Sequence, residues 1–129
     1  KGIIMKVKCG VDIIEISRIK ESIEEDKEER FKKRVFTQKE IEYCESKNKQ
    51  KYQHYAARFA AKEAAFKALS ENIPDKYGIE WQNIETINDE NGRPQIILTG
   101  IDDENIENID LSISHCREYA VATVVVLYK

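Results

Sequence analysis

Arg58-Phe59-Ala60-Ala61-Lys62-Glu63-Ala64-Ala65-Phe66-Lys67-Ala68-Leu69 reads as the interior of one long helix. Alanine predominates, and no Gly, Pro or β-branched residue interrupts it. Phe59, Phe66 and Leu69 recur at spacings of seven and three, so they share an apolar stripe. Glu63 and Lys67, one turn apart, lie on the flank of that stripe. The alanines admit another backbone or a bulky ligand at close range. A carboxylate beside such a face needs a partner, because an uncompensated buried charge is costly. That partner is either Lys67 or a metal ion, and the stretch by itself does not choose between them.

Working outward, the 129 residues are expected to form one α+β domain, long enough to bury a core without disulfides or a structural metal. Met5 reads as the natural start, and residues 1–4 are assigned no role. Charged residues make up 35% of the chain, yet the net charge is only -3, which argues against a general nucleic-acid binder. Cys9, Cys44 and Cys116 are odd in number, widely spaced and without a C-x-x-C pair. They read as free thiols in a reducing cytosol. No apolar run approaches the roughly 18 residues of a membrane span, and no signal peptide is visible.

In chain order, Lys6 to Ile16 reads as a strand ending near Glu15, with Asp12 interrupting its apolar run. Ser17 is expected to cap a helix carrying Ile19 and Ile23, which fades into the charged run Glu24 to Glu29. Arg30 to Phe36 is a compact basic cluster interleaved with apolar residues, a local positive site on an acidic protein. Thr37 and Glu40 form a capping box for a short helix to about Ser46. The central helix follows from about Tyr52 to Leu69. Asn72 to Asp75 and Gly78 carry loop signals. Beyond them the period changes to two. Trp81 to Asn88 and Gln95 to Thr99 are expected strands around the Asn91-Gly92 turn, with Pro94 fixing the return. Gly100 to Asn108 reads as an acidic loop, and Leu111 to His115 and Tyr119 to Leu127 as two more strands. One strand, then helices, then antiparallel strands is an α+β order.

Asp12 and Glu63 are the acidic candidates for a cation site, since both sit in apolar surroundings. Mg²⁺ takes a few carboxylate oxygens, keeps waters, and is often completed by substrate phosphates. In an extended strand His115 shares a face with Leu111 and Ile113, whereas Cys116 points the other way, which disfavours a Cys–His nucleophile pair unless the strand has ended by then. His54, at the polar start of the helix, looks less informative. No Gly-x-Ser-x-Gly, Walker, Gly-x-Gly-x-x-Gly or His-Glu-x-x-His motif is present.

Four motifs stand in fixed order: Gly-Val-Asp-Ile-Ile-Glu-Ile at 10–16, Arg-Phe-Ala-Ala-Lys-Glu-Ala at 58–64, Asn-Gly-Arg-Pro at 91–94 and Ser-Ile-Ser-His at 112–115. Together they resemble the holo-[acyl-carrier-protein] synthases, the small bacterial class of 4′-phosphopantetheinyl transferases. The resemblance covers the chain from about Val7 to Val126. It implies a phosphopantetheinyl-transferase-like fold, with a long central helix packed on a mainly antiparallel sheet. The implied reaction is Mg²⁺-dependent transfer of the 4′-phosphopantetheine arm from coenzyme A to a serine of apo-acyl carrier protein, in fatty-acid biosynthesis. Adenosine 3′,5′-bisphosphate is the other product.

By the same resemblance Asp12 and Glu63 hold Mg²⁺, and Lys62 and Lys67 neutralise phosphates of coenzyme A. His115 contacts the nucleotide or pyrophosphate region, and Gly92, Arg93 and Pro94 lie near the adenine. Asp12, Glu63, Lys67 and His115 are thus the expected catalytic set. Arg18, Arg30 and Arg34 resemble the surface that receives the acidic helix of carrier protein, where charge would steer and set register. The family implies a cytoplasmic homotrimer with active sites between subunits. Phe66 stands where relatives often carry a small polar residue. The run Glu24 to Glu29 is unusually acidic beside the expected docking surface. The sequence also admits two rival readings: a non-catalytic module that binds an acidic helix, and another enzyme that binds coenzyme A.

Overall fold

In the computed structural model, which describes residues 5–70 and 80–129, the decisive element is β5, Tyr119–Tyr128, at the centre of a three-stranded antiparallel sheet. Ala120, Ala122, Val124, Val126 and Tyr128 alternate inward along it and are buried, the period of two that a half-covered strand requires. β1, Lys6–Glu15, pairs with it on one side and β4, Ile106–His115, on the other. A separate hairpin joins β2, Ile84–Asn88, to β3, Pro94–Leu98.

Helix α4, Lys51–Ala68, lies across the inward face of the sheet. Its Ala60, Ala61, Ala64, Ala65 and Ala68 meet Val124, Val126 and Leu111, so the alanines form the contact surface and not the solvent side. Small side chains draw the helix close, and Gly10 of β1 completes the fit. An ideal Cβ on Gly10 would stand 2.1 Å from the carbonyl oxygen of Ala64. Only glycine permits that approach. A second core joins the other side of α4 to helices α1 (Ile16–Glu24), α2 (Arg30–Val35) and α3 (Gln38–Glu45). Phe36 and Tyr55 anchor it edge to face, with ring centroids 5.0 Å apart.

Three expectations change, and the basic cluster, for which no element was expected, acquires one. Ser17 does not cap α1: the helix begins at Ile16 with Glu15 at the cap position, and Ile16 N–H is satisfied by Glu118 O at 2.8 Å. The basic cluster is itself helix α2, begun at a left-handed Glu29 (φ 58°), with Asp26 accepting from Phe31 N–H. Trp81–Asn83 is a 3₁₀ turn, so the strand starts only at Ile84. β4 begins at Ile106, inside the expected acidic loop, and carries a bulge between Ile106 and Asn108. The loop signals at Asn72 to Asp75 and Gly78 lie outside the described residues. The Thr37–Glu40 capping box forms as expected.

Candidate active site

The close approach of β1 to α4 at Gly10 and Ala64 sets Asp12 beside Glu63 and Lys67. Asp12 pairs in register with Ala122, whose side chain is buried beneath α4, so Asp12 is turned to the same face. Lys67 Nζ lies 3.6 Å from Asp12 Oδ1 and donates to Val11 O at 2.8 Å. Lys67 therefore spans to β1. Asp12 Oδ2 is buried and has no hydrogen-bond partner. Burial raises the Asp12 carboxyl above its ordinary range, partly offset by Lys67. Burial also raises Glu63, with the charge of Asp12 as the next cause and Lys67 opposing.

Two carboxylates raised by burial, Glu63 also by the charge of Asp12 and Asp12 with an orphaned oxygen, form an electrostatic arrangement that a hard cation relieves. All their donor atoms are oxygens, as Mg²⁺ prefers. Among the described residues no group of three His, Cys, Asp or Glu side chains is placed to hold a metal. A cation here would therefore have two protein carboxylates and would leave positions for water and substrate oxygens.

Lys62 is placed otherwise than expected. Its side chain is wholly buried, and Nζ pairs with Glu40 Oε1 at 2.8 Å while donating to Trp81 O at 3.1 Å and Ile84 O at 2.5 Å. Burial pulls the amine below its usual range against the opposing attraction of Glu40. This lysine fastens α4 to α3 and to the start of β2 and cannot reach a phosphate in solvent. The reason is local: Lys62 faces the second core, while Glu63, a further 100° round the helix, faces β1. Glu40 does more than cap its helix, since its other oxygen accepts from Thr86 N–H at 2.9 Å.

His115 ends β4 on the opposite edge of the sheet from Asp12, with β5 between them. Its ring is exposed and meets His54 of α4 with centroids 5.5 Å apart. His54, passed over on sequence, is half-buried and held neutral. Burial, His115, Lys47 and Arg58 lower its pKa to about 4. The alternation Leu111, Ile113, His115 holds to the end of β4, and Cys116 lies just beyond it in the turn to β5, its N–H donating to Tyr119 O at 2.9 Å. Gly92, Arg93 and Pro94 occupy the β2–β3 hairpin, where Gly92 takes φ 81° and Asp89 Oδ1 accepts from Asn91 and Arg93 N–H. Arg18, Arg30 and Arg34 are exposed on α1 and α2, and Arg30 pairs with Glu28. The fold thus gathers Asp12, Glu63 and Lys67, and sets His115, the hairpin and the arginines around them as separate groups. A signal for His54 existed in its spacing from Arg58, one helical turn, but nothing in sequence showed that β4 ends beside it.

Comparison with known proteins converges on one group. A family model described as the 4′-phosphopantetheinyl transferase superfamily matches residues 8–124. A holo-[acyl-carrier-protein] synthase of Ruminiclostridium cellulolyticum is 45% identical over 95% of this chain and 92% of its own length. One from Geotalea daltonii is 43% identical over 90% and 94%. Among solved structures, the Bacillus anthracis holo-(acyl-carrier-protein) synthase in complex with CoA (3′,5′-ADP) superposes with a TM-score of 0.79 at 34% identity, covering 98% of this chain and all of its own. The Helicobacter pylori synthase in complex with coenzyme A gives 0.77 at 32%, over 92% and 98%.

Proposed function

The chain belongs to the 4′-phosphopantetheinyl transferase superfamily, and from that membership we propose that it is the enzyme that moves the 4′-phosphopantetheine group of coenzyme A onto a serine of apo-acyl carrier protein. The observation that carries the reading is the meeting of Asp12, Glu63 and Lys67 at the β1–α4 contact, with Asp12 Oδ2 left unsatisfied.

Asp12 and Glu63 would hold Mg²⁺, which when bound supplies charge neutralisation on the pyrophosphate of coenzyme A. Lys67, more than half exposed, extends its ammonium beside that position and stabilises phosphate oxygens. The carrier serine oxygen attacks the pantetheine-side phosphorus, the phosphoanhydride P–O bond breaks, and adenosine 3′,5′-bisphosphate leaves with the electron pair. The serine proton must pass to a base. Glu63, acting through a water, is the acceptor we assign. His115 and the Gly92-Arg93-Pro94 hairpin would receive the nucleotide end. Arg18, Arg30 and Arg34 would receive the acidic helix of the carrier.

Val7, Val11 and Ile13 of β1 and Tyr119 and Val125 of β5 leave an exposed apolar face on the side of the sheet away from α4. Such a face supports the homotrimer, with active sites between subunits, that the family implies. No helix of the described residues is long and apolar enough to cross a membrane. The three free thiols fit a reducing compartment, and we infer a cytoplasmic enzyme serving fatty-acid synthesis. The test is to incubate the protein with coenzyme A, Mg²⁺ and apo-carrier and weigh the carrier. A gain of one phosphopantetheine arm supports the reading, and an unchanged mass refutes it.

A further inference from the structure

Behind the exposed ring of His115 stands a line of side chains drawn from four elements. Asn88, the last residue of β2, donates through Nδ2 to the Tyr43 hydroxyl at 3.1 Å and accepts from Arg58 Nη2 at 3.2 Å. The Arg58 guanidinium lies 4.0 Å from the centroid of the Tyr43 ring, and Arg58 is almost wholly buried. Tyr43 meets His54 edge to face, with centroids 5.5 Å apart and planes at 79°. His54 meets His115 in the same manner, at 5.5 Å and 68°. The line starts at the residue paired with Pro94, the root of the β2–β3 hairpin, and ends at the last residue of β4. It therefore joins the two groups assigned above to the nucleotide.

We propose that His54 is a positioning residue: with Tyr43 behind it, His54 sets the ring of His115 relative to the β2–β3 hairpin, presenting both to the nucleotide end of coenzyme A as one preset clamp. This rests on the transfer reading given above. A ring at the exposed end of a strand otherwise samples several rotamers, and binding must freeze them. A neighbouring ring that meets it edge to face removes part of that cost beforehand. Because His54 is neutral at working pH, it packs as an uncharged aromatic and adds no charge beside His115. Arg58 and Asn88 brace Tyr43 and so fix the far end of the line.

The test compares wild type with His54→Ala, His54→Gln and His54→Phe. Binding of adenosine 3′,5′-bisphosphate is measured by calorimetry, steady-state kinetics give KM and kcat, and NMR follows the His115 imidazole. Loss of the ring in the Ala and Gln variants is expected to weaken nucleotide binding roughly two- to ten-fold. The loss should fall on KM for coenzyme A and not on kcat, with the His115 signals displaced. His54→Phe, which keeps a ring, should restore binding and signals together. Equal affinity in wild type and His54→Ala, unmoved His115 signals, or a Phe variant as weak as the Ala variant would each overturn the assignment. Wild type that binds no nucleotide overturns the transfer reading as well, whereas wild type that binds but is matched by His54→Ala overturns this inference alone.

Discussion

The Cβ that Gly10 lacks would stand 2.1 Å from the carbonyl oxygen of Ala64, inside any tolerable contact with backbone. That single approach sets the distance between β1 and α4, and with it the meeting of Asp12 with Glu63 and Lys67. Gly10→Ala should destabilise the fold by about 2 kcal/mol or more, the range of an overpacked core. Thermal unfolding should fall by roughly 6–10 °C for a domain of this size. Unchanged stability would mean that the strand and helix are not held this closely.

Lys62 and Glu40 give the second prediction. Removing one partner of a buried, fully bonded ion pair leaves a charge without compensation, at a cost of about 3–5 kcal/mol. Lys62→Met should lose that order of stability in urea unfolding, and adding Glu40→Gln, which removes the charge but keeps an oxygen for the Thr86 N–H, should recover part of it. A Lys62→Met protein of full stability with a raised KM for coenzyme A would return Lys62 to the phosphate site.

His54 sets a pH dependence with a definite sign. Its folded pKa of about 4 lies below the ordinary value of 6.5, so between these values the unfolded chain binds a proton that the folded chain refuses. Stability is therefore complete above about 6.5 and declines as pH falls toward 4. The cations that face it, Lys47 and Arg58, and the neighbouring His115 act in the same direction. His54→Phe should flatten this part of the melting-temperature profile. An identical profile in wild type and variant would show that His54 titrates normally.

Much of this was legible beforehand, and what was not has a physical cause in each case. The alternation at 119–128, the Thr37–Glu40 box and the alanine-rich helix all express local preference, and each formed. Helix α2 has six residues, too few for a period to show, and it depends on Asp26 and a left-handed Glu29. β4 opens on polar residues that read as loop; Asn108 and Asp110 direct their side-chain oxygens to the following N–H groups. The pairing of Asp12 with Glu63 was proposed from the residues flanking each, but their meeting depends on a contact 54 residues apart in sequence between Gly10 and Ala64. The phosphate role expected of Lys62 came from resemblance alone, and its burial depends on Glu40, 22 residues earlier, whose part as a cap is local whereas its ion pair with Lys62 is not.

Arg18 is exposed on α1. Reversing its charge with Arg18→Glu should raise KM for carrier protein several-fold, more at low salt than at high, and leave KM for coenzyme A alone. Steady-state kinetics with each substrate varied in turn reads this directly. An unchanged KM for carrier would remove Arg18 from the docking surface.

The most direct measurement of the central claim is the mass of acyl carrier protein after incubation with coenzyme A and Mg²⁺, run in parallel with wild type, Asp12→Ala and Glu63→Ala. Circular dichroism should confirm that both variants keep the fold. The account predicts one added phosphopantetheine arm with wild type and a rate at least about 100-fold lower with either variant, the scale of a lost electrostatic catalytic group. Full transfer by both variants, or no gain with wild type, would contradict it.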